Sequence, residues 1–135
     1  MRRMSPIVIA LFVSCWSTLV LGLVQNPGGN PEAAKVKNPV AASPESVARG
    51  KELFTKNCRF CHGADAKGNG PMAPEGTHPS DLTDAKWDRG STDGEIFAVI
   101  QNGAGPKFDM KGYKSKLPDS DIWNIVNYLR SIGPK

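Results

Sequence analysis

Cysteine and histidine are scarce in this chain: three Cys, at positions 15, 58 and 61, and two His, at 62 and 78, among 135 residues. So few cysteines exclude a small scaffold stapled by several disulfides. Aromatic residues make up only 7%, and β-branched and aromatic side chains do not alternate over any useful length. Few strands are therefore expected. An excess of one charge is also lacking. Beyond Arg2 and Arg3 there are 15 basic and 13 acidic residues, with no basic patch interleaved with stacking aromatics, and so even a balance argues against a nucleic-acid partner. No segment repeats. What is there, 39% hydrophobic and 22% charged residues with 14 Gly and 11 Pro, suits one loop-rich globular domain plus an extension.

The two close cysteines stand in Cys58-Arg59-Phe60-Cys61-His62. Two thiols three positions apart with an imidazole directly after them are what covalent c-type haem attachment requires. The thiols can add across the two vinyl groups of one porphyrin, and the adjacent imidazole can reach the iron from the proximal face. A zinc site would need further ligands nearby, and after Cys61 only His62 and His78 qualify. A thioredoxin-like pair would open a helix after a strand, whereas this one closes a helix. One such motif predicts one covalently attached haem c, its iron held by His62.

Residues 4–24 carry no charge across 21 positions, behind Arg2 and Arg3. A helix of that length would run about 31 Å, enough to cross a hydrocarbon core. The two arginines keep its start cytoplasmic and direct the rest outward. A single transmembrane helix, retained as a signal-anchor over residues 1–24, is expected, because the segment's end lacks a small-x-small cleavage pattern. Cys15 reads as an apolar helix residue rather than a lipidation site. Residues 25–42, rich in Pro, Gly and Asn, form the expected linker, able to span at most about 60 Å. The haem domain is expected over residues 43–135.

Within that domain Ser43-Pro44 marks a helix start, and Val47, Gly50, Phe54 and Cys58 fall on one face. A second helix is predicted over 93–101, stopped by Gly103-Ala104-Gly105-Pro106. A closing helix is predicted over 119–131, with Ile122, Ile125, Val126, Leu129 and Ile132 as its apolar stripe and Asp119 and Asp121 near its positive end. The fold class is all-α.

Gly50, Phe54 and Cys58 at intervals of four, the Cys58 to His62 motif, and the closing Ile125-Val126-Asn127-Tyr128-Leu129-Arg130-Ser131 resemble the class I cytochrome c family, and more narrowly its small bacterial single-haem members. The resemblance covers residues 43–135. It implies a crossing of the first and last helices, with Gly50 and Phe54 meeting Ile125 and Tyr128. It also implies a methionine as sixth iron ligand in a loop before the last helix. Met110 stands in that place, followed by Lys111 where the family commonly has proline. Met72 and His78 are its competitors. Pro71 and the glycines at 63, 68 and 70 would shape the loop beneath the proximal imidazole, and Trp87 would pack near the porphyrin or in the core.

Lys107, Lys111, Lys114 and Lys116 surround the proposed ligand loop, opposed only by Asp109. Such a row would steer an acidic redox partner, unless it is an ordinary solvated loop. The expected function is one-electron transfer by a membrane-anchored monohaem cytochrome, not itself an enzyme, between redox proteins or membrane complexes of a respiratory or photosynthetic chain. Its haem domain would lie on the periplasmic side of the inner membrane. The alternatives are an open-coordination haem domain for gas sensing or peroxide chemistry, and a docking subunit of a larger redox complex.

Overall fold

The computed structural model describes residues 29–105 and 109–134. The expected anchor at 4–24 and Lys107 lie outside the described residues. Among the described residues no helix is long and apolar enough to cross a membrane.

The frame is a crossing of two 14-residue helices, α2 (Pro44–Asn57) and α5 (Asp119–Ile132). Ser43 caps α2 by accepting the Ser46 amide, and Pro44 occupies the first turn, where its missing N–H costs nothing. Helix α5 follows Pro118 and ends at Gly133, whose amide donates to the Leu129 carbonyl. Gly50 lets the two backbones touch: a Cβ there would stand 1.9 Å from the Asn124 carbonyl oxygen and 2.8 Å from the Tyr128 Cβ. One turn on, the Phe54 and Tyr128 rings pack with centroids 5.4 Å apart at 52°. The crossing is the expected one, and it adds a close backbone approach. Gly50 meets the Asn124 carbonyl and Tyr128, while Ile125 is buried in the adjoining core with Ile122, Val126 and Leu129.

Helix α4 (Asp93–Asn102) opens on a reciprocal cap, in which Thr92 accepts the Glu95 amide and Glu95 accepts the Thr92 amide. It leans on α5 through Phe97 and Trp123, stacked at 4.0 Å and 15°. Its end departs from a purely helical reading. Gly103–Ala104 (β1) pairs antiparallel with Met110–Lys111 (β2), Ala104 opposite Met110 and Gly103 opposite Lys111. Two residues per strand leave no alternation for a sequence pattern to reveal.

The stretch expected as linker over 25–42 is packed from Asn30 onward. Its short helix α1 (Pro31–Ala34) is capped by the Asn30 side chain, and the Asn30 amide donates to Glu95 Oε1 at 3.1 Å. Asn38 donates to Asn127 Oδ1 at 2.8 Å, and Asn127 donates in turn to the Val40 carbonyl at 3.1 Å and to Ser46 Oγ at 2.8 Å. Asn127 is only 5% exposed, so these partners are what make its burial tolerable. The segment is a strap across α4, α5 and the start of α2.

Candidate haem site

Helix α2 delivers the motif. Its last amide bond runs from Cys58 to the Phe54 carbonyl, and Cys58 then serves as the entry to α3 (Arg59–His62). Amides of both Cys61 and His62 donate to the Cys58 carbonyl, at 3.1 and 2.9 Å. This single turn sets Cys58, Cys61 and His62 at i, i+3 and i+4, on one face. Arg59 and Phe60 fall on the other.

The loop after His62 folds back beneath α3 and satisfies its free carbonyls. Gly68 donates to His62, Gly70 to Cys61 and Met72 to Phe60, at 2.8, 3.0 and 2.8 Å. This is the shaping role expected of the glycines. The loop then brings the Ser80 carbonyl to 3.3 Å from His62 Nδ1. A carbonyl can only accept, so Nδ1 is the protonated nitrogen and Nε2 keeps its lone pair. Burial pushes the His62 pKa below its ordinary value, with Ser80 opposing in part. The imidazole is thus held neutral and oriented, as a metal ligand must be.

Cys58 and Cys61 are free of disulfide. Burial, and secondarily the neighbouring Cys61, raise the Cys58 thiol to about 12. That is the reverse of the lowered thiol pKa found in reactive dithiol pairs. Among the described residues no cluster of three or more His, Cys, Asp or Glu is disposed to hold a metal ion, so a zinc site is not assembled here.

Met110 reaches the same region by a different route. It is half-buried in β2 and, like Cys58, Phe97, Tyr113 and Leu117, packs against the hydrophobic core. Three residues later the Tyr113 hydroxyl donates to the Asn57 carbonyl at 2.7 Å, tying the Met110 loop to the residue before Cys58. The Tyr113 pKa is raised, by burial first and then by the negative charge that Cys58 and Cys61 would carry, which places its phenol near both sulfurs. The competitors are more open to solvent: Met72 is 66% exposed and His78 is exposed. Trp87 is half-buried against the core, its indole N–H donating to the Asp84 carbonyl at 3.0 Å.

Two thiols and a neutral imidazole on one face of a single turn form a donor set that suits a covalently held haem. Sequence reasoning missed Ser80 and Tyr113. Ser80 acts through its backbone, which leaves no side-chain signature. Tyr113 could have been noticed as a phenol three residues after a candidate ligand.

The family model for "Cytochrome C oxidase, cbb3-type, subunit III" matches residues 45–129. The chain is similar to the cbb3-type cytochrome c oxidase subunit FixP of Rhizobium meliloti (strain 1021), 38% identical over 94 residues, which are 68% of this chain and 29% of that protein. It is also similar to subunit CcoP of Rubrivivax gelatinosus, 31% identical over 94 residues, 70% of this chain and 28% of the relative. The matched stretch therefore spans less than a third of these curated relatives. Among solved structures, cytochrome cL from Methylophaga aminisulfidivorans superposes with a TM-score of 0.56 at 26% identity, over 67% of this chain and 55% of that one.

Proposed function

The chain belongs to the cbb3-type cytochrome c oxidase subunit III family, and on that footing we propose that it relays single electrons within a membrane-bound respiratory complex. Its fold is that of a class I cytochrome c, a domain that carries haem c and iron. When bound, the haem supplies the redox chemistry, its iron passing between ferrous and ferric.

Every other task falls to the chain. Cys58 and Cys61 would anchor one porphyrin by thioether bonds, His62 would offer Nε2 to the iron, and Ser80 fixes the imidazole through Nδ1. Met110 would supply a further iron ligand, a soft thioether that would favour reduced iron and raise the potential. Tyr113 positions its loop. The observation that carries this reading is the single turn that places Cys58, Cys61 and His62 on one face, with the His62 Nδ1 proton already committed to Ser80. No general acid, base or nucleophile is needed, so the domain is not an enzyme in its own right.

Residues 4–24 are proposed to anchor the chain in the inner membrane, with the haem domain on the periplasmic side, as their uncharged length and the preceding arginines support. Lys111, Lys114 and Lys116 are exposed, and none is ion-paired among the described residues. They favour a partner with an acidic surface.

Mass spectrometry of the denatured holoprotein tests the attachment. Retention of one haem is expected, and its loss under denaturing extraction would sink the proposal. A six-coordinate, low-spin spectrum is expected of the native protein. A high-spin spectrum would instead favour the open-coordination alternative.

A further inference from the structure

Three large apolar side chains are exposed among the described residues, and two of them, Phe60 at 40% and Met72 at 66%, lie on hydrogen-bonded neighbouring segments. The Met72 amide donates to the Phe60 carbonyl at 2.8 Å, and the Cys61 sulfur is 3.5 Å from the Met72 carbonyl. The exposure of Phe60 follows from helix phase. It projects from the face of α3 opposite Cys58, Cys61 and His62, so a group bound to those three does not cover it.

Phe60 is also one wall of a shallow, largely apolar groove of roughly 680 Å³ along α2, lined with it by the stems of Lys51 and Lys56, by Thr55 and by Arg59. The Arg59 guanidinium lies 4.8 Å over the Phe60 ring, which restrains both side chains. The charges around the groove are lopsided. Its one carboxylate, Glu52, is paired with Arg49 at 3.2 Å, while Lys51, Lys56 and Arg59 have no ion-pair partner among the described residues. An aromatic and an arginine around a desolvatable depression, rimmed by lysines and with an exposed methionine on the neighbouring segment, is a composition that protein interfaces favour.

We infer that the groove and the adjoining Phe60–Met72 surface form the contact face for the electron-transfer partner, and that the partner presents an apolar side chain flanked by carboxylates. Charge complementarity selects that occupant: three uncompensated cations repel a basic surface, and the apolar floor needs an apolar insert. The inference rests on the electron-transfer reading above and adds which face is used. Contact beside Cys61 would put the partner against the sulfur that holds the porphyrin, whereas Lys111, Lys114 and Lys116 would act at longer range, on the rate of encounter.

Site-specific photocross-linking in native membranes tests it. The full chain would carry benzoylphenylalanine in place of Phe60 or, separately, of Lys114, and the cross-linked peptide would be sequenced. Position 60 should give one discrete adduct, on a peptide whose apolar residue lies between Asp or Glu residues. The combined substitution Lys51→Glu, Lys56→Glu and Arg59→Glu should lower its yield about tenfold or more, and position 114 should give little. An equal or greater yield from position 114, an adduct on a peptide without carboxylates, or a yield indifferent to charge reversal would each overturn the inference. Covalent haem and its reduced spectrum are read on the same membranes. Intact, reducible haem with no position-60 adduct overturns the docking face alone, and absence of covalent haem overturns the electron-transfer reading.

Discussion

The Tyr113 hydroxyl donates to the carbonyl of Asn57 across 56 residues of sequence, joining the loop that carries Met110 to the last residue of α2. Tyr113→Phe removes the donor and keeps the ring, leaving a partly buried carbonyl without its partner. The expected loss is about 1–2 kcal/mol, which in a domain of this size lowers Tm by roughly 4–16 °C. Because the bond holds the Met110 loop, a fraction of the iron should also become high-spin, measured by electron paramagnetic resonance. A lower Tm with an unchanged spin state would confine Tyr113 to a structural role.

Met110→Ala should leave haem covalently attached, convert part of the iron to high spin and lower the reduction potential, because a soft axial donor is lost. Met72→Ala and His78→Ala, at exposed positions, should change neither. Optical and redox titration of the three variants decides the assignment. An unchanged Met110→Ala protein beside an altered Met72→Ala or His78→Ala would reassign the ligand.

Gly50→Ala tests the helix crossing. The added methyl would stand 1.9 Å from a backbone carbonyl oxygen of Asn124, which cannot swing aside as a side chain could. A loss of about 2–3 kcal/mol or more is expected in urea denaturation, the high end of overpacking. Ala48→Gly, at an exposed position of the same helix, should cost only about 1 kcal/mol by propensity alone.

Acid should loosen the strap. Burial by itself would raise the Glu95 pKa, yet the hydrogen bonds it accepts from Thr92, Asn30 and Ser91 hold it below the ordinary value of 4.5. A carboxylate depressed in the folded state contributes stability that is fully present above its unfolded pKa and is lost as pH falls through the folded one. Hydrogen exchange of amides 30–38 should therefore lose protection, relative to the core of α5, as pH falls from 4.5 through the depressed folded value. In Glu95→Gln the strap should be weaker at neutral pH and lack that acid step.

The haem motif was legible because attachment chemistry needs its side chains contiguous in sequence. The two long helices were legible because Phe54, Ile122, Ile125 and Val126 recur at helical spacing and are almost wholly buried. The contact of Gly50 with Tyr128 was expected, whereas its approach to the Asn124 carbonyl was not. Spacing gives a helix face, whereas the point of crossing depends on how two surfaces mesh in three dimensions. The strap was illegible for a related reason: Asn30 meets Glu95 from 65 positions away and Val40 meets Asn127 from 87, and backbone groups supply half of each bond. Its prolines and asparagines read as a spacer until those partners are known.

The strap also sets the length of the leash. With residues 30–42 committed to the haem domain, only residues 25–29 separate the proposed anchor from folded protein, and five residues extend to about 17 Å at most. Were residues 4–24 an anchor, the domain would be confined to a thin layer over the bilayer, where it could turn but not roam. A partner docked in the same assembly would then meet it at a high effective concentration, and each electron transfer would become in effect a unimolecular event.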